Sequence, residues 1–191
     1  MISGLRTVLW ALCLALALST TATAWDVETL GAALADNQGG RVAFTETRHT
    51  AYLTAPVELS GVLVREGERL EKHVLAPAPE TFIISGGSAE ITTATGERHS
   101  LALNDHPLLR GLAAALRAAL TGQTDRLQRD FDLSLEGDET DWRLRLFPRA
   151  DDLRITLQEI VLGGRNGQVG LIRIEERNGD ISEMLLTHGG Q

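Results

Sequence analysis

The chain has 191 residues, with 26 acidic and 18 basic side chains and a formal net charge of −8 at pH 7. A chain this acidic is a poor partner for nucleic acid or for an anionic membrane surface. Its one cysteine, Cys13, lies in an apolar N-terminal segment, so no disulfide framework is expected in the rest of the chain.

The first 24 residues carry the features of a cleavable signal peptide. Arg6 precedes an apolar run over residues 8–18, which is too short to anchor a protein in a membrane. Small residues follow at positions 22–24, so we expect signal peptidase to cleave after Ala24. The residues before Cys13 are too bulky for a lipoprotein cleavage signal, so we expect no stable membrane anchor. Residues 25–191 would then form a single domain outside the cytoplasm.

The chain after position 24 begins with a short helix and continues as strands. Asp26 is a suitable N-terminal cap, and Val27, Leu30 and Leu34 follow at helical spacing. From Arg41 onward, apolar residues alternate with small or polar ones, which is the period of a half-buried strand. Turn signals divide this region into predicted strands at residues 41–53, 57–63, 70–76, 81–84, 89–93 and 98–103.

One amphipathic helix interrupts the strands. Asp105 is its predicted N-terminal cap, Pro107 lies in its first turn and Gly122 ends it. Arg110 and Arg117 share the polar face of this helix. Leucines recur every four positions along the opposite face, at Leu108, Leu112, Leu116 and Leu120.

Strands resume after the helix, and a short helical turn is predicted at residues 149–153. Asn178-Gly179 favours a tight hairpin near the C-terminus. The whole pattern predicts an α+β fold of about ten or eleven antiparallel strands, with one helix at the front and one in the middle. A sheet of this size must curl or split. An incomplete barrel would leave an open side that the two helices can cover. The later strands are predicted at residues 131–135, 142–146, 155–162, 169–175 and 181–186.

The chain lacks the residue spacings that carry most enzyme chemistry. None of the five histidines pairs with another at metal-ligand spacing, and no thiol remains after position 24. The turn at residues 163–167 lacks the lysine and the following helix of a phosphate-binding loop. No Gly-x-Ser-x-Gly nucleophile motif is present. We therefore predict no catalytic residue, no metal site and no cofactor.

Several strand residues would face the leucines of the central helix if the sheet curls. One interpretation of such a set is an ordinary close-packed core. The other is a hollow apolar pocket for acyl chains, because ligand sites are concave and mostly apolar. The strand residues in question are Phe44, Leu59, Leu63, Phe82 and Ile84.

Patterns of fold and packing in both halves of the chain follow a recognisable order. These are an N-terminal helix followed by Val42-Ala43-Phe44-Thr45-Glu46, Gly61-Val62-Leu63, Leu70-Glu71-Lys72, a turn with Pro77 and Phe82-Ile83-Ile84-Ser85-Gly86, and then Leu108-Leu109-Arg110-Gly111-Leu112, Thr121-Gly122, Phe131, Leu135-Glu136-Gly137 and Trp142-Arg143-Leu144 leading to Pro148. The order of these segments resembles the LolA outer-membrane lipoprotein carriers, and more closely their divergent LolA-related branch. The resemblance covers nearly all of the chain after position 24.

The resemblance implies an unclosed antiparallel barrel whose helices form a lid over an apolar cavity. Such carriers shield lipoprotein acyl chains between an inner-membrane transporter and an outer-membrane acceptor. Shielding is needed because burial is worth about 0.8 kcal/mol per CH₂. In these carriers an arginine before a proline on an early strand helps to hold the lid closed. Arg65 is the nearest counterpart and the candidate lid contact, although no proline follows it.

We therefore predict a monomeric, non-enzymatic carrier in the periplasm that shields the acyl chains of a lipoprotein or another lipid. The leucines of the central helix would line the lid side of its cavity, and the five strand residues the barrel side. Two alternatives stay open. One is an interaction module of a lipid-export or envelope-assembly system that binds a protein instead of lipid. The other is an enzyme acting on an acyl ester, for which the sequence offers no preferred nucleophile.

Overall fold

The computed structural model describes residues 25–36 and 40–188, without the side chains of residues 119, 120, 125 and 126. The predicted signal peptide therefore lies outside the described residues. The first half of the fold holds helix α1 (Val27–Asp36) and strands β1 (Arg41–His49), β2 (Val57–Glu66), β3 (Arg69–Ala76), β4 (Glu80–Ser85), β5 (Ser88–Thr92) and β6 (Arg98–Ala102). The remaining elements are a 3-10 helix (Leu103–Asp105), α2 (Pro107–Thr121), α3 (Thr124–Asp130), β7 (Phe131–Asp138), β8 (Asp141–Pro148), α4 (Asp151–Arg154), β9 (Leu157–Arg165), β10 (Gln168–Glu176) and β11 (Ile181–Thr187).

The eleven strands within the described residues form one antiparallel sheet, in the order β6-β5-β4-β3-β2-β1-β11-β10-β9-β8-β7. Pairing of β1 with β11 joins the N-terminal and C-terminal halves, with Phe44 opposite Leu186. The two strands at the ends of this order, β6 and β7, do not pair, so the sheet is an unclosed half-barrel. The chain passes from one of these edges to the other through α2 and α3. The predicted fold class is confirmed.

The core lies between one face of the sheet and the helices, and we call that face the inner face. Alternate residues of the strands point into it, as in β8, where Trp142, Leu144 and Leu146 are buried. Leu30 and Leu34 of α1 complete the same cluster. The alternation seen in the sequence therefore corresponds to the pleat of each strand.

Several local predictions need correction. The first predicted strand ends at His49 and not at residue 53, and a loop with the exposed Tyr52 follows. Asp26 does cap α1, because its carboxylate accepts a hydrogen bond from the Thr29 amide at 2.8 Å. Asp105 does not cap α2, because it ends the preceding 3-10 helix and His106 occupies the cap position without a side-chain hydrogen bond. Helix α3 was not predicted. Its sequence, TDRLQRD, contains one large apolar residue, Leu127, and a single residue cannot show a helical period.

Candidate functional site

A cavity of about 400 Å³ lies between the inner face of the sheet and helix α2. Its walls are mostly apolar side chains from both halves of the chain. The exposed residue His49 is part of its lining, so the cavity reaches the surface at the end of β1. The apolar part of the lining consists of Leu63, Val64, Leu70, Phe82, Ile84, Leu109, Leu112, Ala115, Leu116, Ile160, Ile172, Ile174, Ile181 and Met184.

The structure brings five of the nine sequence-predicted pocket residues to this cavity. Leu63, Phe82 and Ile84 line it from the sheet, and Leu112 and Leu116 line it from α2. Whether these side chains bind a ligand stays a prediction. The side chain of Leu120 lies outside the described part of the chain.

The other three predicted residues, Phe44, Leu59 and Leu108, belong to the packed core and do not line the cavity. Phe44 pairs with Gly61 across β1 and β2. A Cβ atom at Gly61 would lie 2.8 Å from the Phe44 Cζ atom, so the ring fills the space that a side chain would take. Around Phe44 and Gly61 the inner face is therefore a close-packed core. Between β3 and α2 it is a hollow apolar pocket.

The C-terminal strands contribute cavity residues that sequence analysis did not assign. Ile160 of β9, Ile172 and Ile174 of β10, and Met184 of β11 all line the cavity. Their alternation was visible in the sequence. Only the pairing of β1 with β11, however, brings them opposite the N-terminal strands.

A buried ionic cluster stands in the wall of this apolar cavity. Only 2% of the Glu46 side chain is exposed. Its Oε1 atom accepts hydrogen bonds from Arg48 Nε and from Ser182 Oγ, each at 2.7 Å. Lys72 Nζ donates to Oε2 of the same carboxylate and lies 5.1 Å from the centre of the Phe44 ring. The sequence placed Glu46 within a strand motif, but nothing in it indicated that three strands would converge on this carboxylate.

The environment of Glu46 keeps its carboxylate ionised. Burial by itself would raise the pKa of Glu46. The charge of Lys72 and the hydrogen bonds from Arg48, Lys72 and Ser182 together outweigh burial, so the pKa lies below its ordinary value. Two cations therefore face one anion at the cavity wall.

The opening of the cavity carries acidic groups. Asp180 lines it and accepts a hydrogen bond from the backbone amide of Ala51 at 2.9 Å, which connects the β1–β2 loop to the β10–β11 turn. Burial raises the pKa of Glu176, and the nearby charge of Asp180 raises it further. Together with His49, these groups give the opening a polar rim around an apolar interior.

Arg65, the candidate lid contact, lies outside this cavity. It borders a second pocket of about 300 Å³ together with Gly67, Glu68, Arg117, Thr121 and Gln123. The pocket separates the β2–β3 hairpin from the C-terminal end of α2. Arg65 Nε is buried, and within the described residues it has no hydrogen-bond partner. The structure therefore places Arg65 beside α2 but shows no direct lid bond from this nitrogen.

We also searched the described residues for metal-binding clusters and for membrane-spanning helices. Across residues 25–36 and 40–188, no group of three or more His, Cys, Asp or Glu side chains is arranged to hold a metal ion. In the same ranges, no helix combines the length and the apolar character needed to cross a membrane.

Comparison with known proteins gives one family match. The model of a family described as outer membrane lipoprotein carrier protein LolA-like matches residues 19–191. A comparison with curated proteins found no match.

Similar solved structures include two bacterial proteins of related description and one complex. The LolA superfamily protein NE2245 from Nitrosomonas europaea is 10% identical, with a TM-score of 0.46 over 85% of this chain and 90% of that chain. A putative outer membrane lipoprotein-sorting protein domain from Vibrio parahaemolyticus is 8% identical, with a TM-score of 0.43 over 85% and 89%. The MucA/MucB complex of Pseudomonas aeruginosa gives 15% identity and a TM-score of 0.43, over 85% of this chain and 56% of that chain.

Proposed function

This chain belongs to the family of LolA-like outer membrane lipoprotein carrier proteins, and from that premise we propose that it carries acyl chains in the cavity beneath α2. The cargo is a lipoprotein or another lipid that moves between the inner and the outer membrane. The protein acts as a binding protein and not as an enzyme. The observation that carries the proposal is the apolar cavity between the inner face of the sheet and α2.

The dimensions and lining of the cavity suit an acyl chain. Its volume of about 400 Å³ falls within the range of roughly 300–1,000 Å³ that is common for small-molecule sites. Each CH₂ group that it takes from water is worth about 0.8 kcal/mol. Leu112, Leu116 and Ile174 offer contacts of matching polarity. In the ionic cluster around Glu46 the carboxylate offsets one of the two cations, so the cluster presents less charge to an acyl chain than unpaired side chains would.

We further propose that this carrier works in the periplasm, between a donor in the inner membrane and an acceptor in the outer membrane. Cleavage after Ala24 would release residues 25–191 into the periplasm as a single carrier domain without a lipid anchor. A monomer of this kind can diffuse between two membranes. An inner-membrane transporter would deliver the cargo and an outer-membrane acceptor would receive it.

Displacement of an acyl fluorophore tests the proposal on the mature protein. Leu116→Trp adds bulk to the cavity without burying a charge, so we expect it to weaken probe binding at least about tenfold. Leu112→Asp should also weaken binding, because an aspartate beside an acyl chain would be desolvated.

Leu185→Asp is the matched control. Leu185 lies on β11 but is 51% exposed and does not line the cavity, so its replacement should leave probe binding unchanged. Circular dichroism and urea unfolding confirm that each variant is folded. A folded wild-type protein that binds no acyl probe would overturn the carrier function.

A further inference from the structure

The second pocket, which we call the arginine pocket, holds two cations that no described carboxylate neutralises. It consists of Arg65, Gly67, Glu68, Arg117, Thr121 and Gln123. Both Arg65 Nε and Arg117 Nε are buried, and neither has a hydrogen-bond partner among the described residues. Within the described part of the chain, neither guanidinium forms an ion pair. Because arginine stays protonated in proteins, two positive charges border this pocket.

The balance of charge in the arginine pocket favours an anion. Among the described residues that line it, Glu68 is the one acidic group, against two arginines. Like charges on opposite walls repel, and an anion between them relieves that repulsion. A guanidinium also presents a planar set of donors that matches the oxygens of phosphate and carboxylate groups. The orphaned Nε atoms are therefore suited to an anionic ligand.

The arginine pocket adjoins the apolar cavity through two continuous elements. On β2, Leu63 lines the cavity and Arg65 lines the arginine pocket. On α2, Leu116 lines the cavity and Arg117 lines the arginine pocket. Side chains alternate along a strand, so Leu63 and Arg65 point to the same face of the sheet, about 6.6 Å apart along β2. A single amphiphilic molecule can therefore reach both.

We infer that the arginine pocket binds the anionic headgroup, a phosphate or a carboxylate, of the lipid whose acyl chain occupies the cavity. This inference rests on the proposed carrier function and makes it more specific, because it selects acidic lipids over neutral ones. One headgroup held by Arg65 and Arg117 also links β2 to α2. The lid contact assigned to Arg65 is then made through the ligand.

A pair of lipids that differ only in the headgroup tests this inference. Lysophosphatidic acid and monoacylglycerol with the same acyl chain are titrated against the mature protein loaded with an acyl fluorophore, below the concentration at which either forms micelles. We expect wild type to bind the phosphate lipid at least about tenfold more tightly, the size of effect expected for charged hydrogen bonds. Arg65→Gln and Arg117→Gln should each remove most of this preference while monoacylglycerol binding stays unchanged, and Arg65→Lys should restore part of it.

Arg110→Gln is the control for a general loss of charge on α2. Arg110 pairs with Asp152 at 2.9 Å and lines neither pocket, so its replacement should keep the preference for lysophosphatidic acid. Glycerol 3-phosphate, which has no acyl chain, is titrated separately to distinguish a free phosphate from a headgroup.

The outcomes separate the inference from the carrier function. Equal binding of both lipids in wild type, or a preference that survives loss of both arginines, would overturn the headgroup site and leave the carrier function standing. Tight binding of glycerol 3-phosphate without any headgroup preference would assign the pocket to a free anion and would also overturn it. If neither lipid displaces the probe and the probe itself does not bind, both proposals fail.

Discussion

Replacing Glu46 with glutamine should destabilise the protein by about 3 kcal/mol. The substitution keeps the size of the side chain but removes the charge that faces Lys72, whose own side chain is only 16% exposed. Breaking a buried ion pair by removing one partner costs about 3–5 kcal/mol, because the remaining charge stays desolvated. We expect the lower end of that range, because Arg48 is 37% exposed and can turn towards water.

Urea unfolding of the mature protein at pH 7 measures this cost. Lys72→Met is the second arm of a double-mutant cycle with Glu46→Gln. The double variant should lose less stability than the sum of the two single variants, with a coupling energy of at least about 1 kcal/mol. Glu58→Gln serves as the control, because Glu58 is exposed on the other face of the sheet and its replacement should change stability by less than about 0.5 kcal/mol. Strict additivity, or a cost below about 1 kcal/mol for Glu46→Gln, would refute the role of this pair.

Three further predictions concern packing and pH. Gly61→Ala should destabilise the protein by about 1–3 kcal/mol, because its Cβ would lie 1.9 Å from the His73 carbonyl oxygen; an unchanged Tm would contradict this packing. Gly122→Ala should also lower the Tm, since Gly122 has a φ of +71° and an added Cβ would lie 2.1 Å from the Gly31 carbonyl oxygen; amide hydrogen exchange in α1 that stays as slow as in wild type would contradict the helix contact. The folded-state pKa of Glu46 is below its ordinary value of 4.5, so the unfolded state binds more protons and its contribution to stability is lost as the pH falls below that value. Urea unfolding between about pH 3 and pH 7 should therefore show a shallower acid loss for Glu46→Gln than for wild type, and identical slopes would exclude this linkage.

Local pattern was enough to predict the sheet and the central helix. The leucine repeat of α2 and the alternation in β8 each report a single element with one buried face. The family resemblance supplied the arrangement of these elements. It could not separate cavity residues from core residues, because Phe44 and Leu63 are both large apolar residues at alternating positions of predicted strands. Their difference depends on Gly61, which lets the Phe44 ring pack down onto the sheet.

The polar features of the two pockets could not be predicted in the same way. Glu46, Lys72 and Ser182 are far apart in the sequence. They meet only because β1 pairs with both β2 and β11, and because β2 pairs with β3, which carries Lys72. Arg117 appears in the sequence as a residue of the polar helix face, and its proximity to Arg65 depends on how α2 lies against the β2–β3 hairpin. Such long-range contacts leave no periodic signal.

The most direct test of the carrier function is mass spectrometry of lipid extracted from gently purified mature protein. We expect wild type to retain an acyl lipid with an acidic headgroup, and Leu116→Trp to retain much less while staying folded. A folded wild-type protein that carries no acyl lipid, and takes none up when acyl lipid is added, would contradict the carrier function.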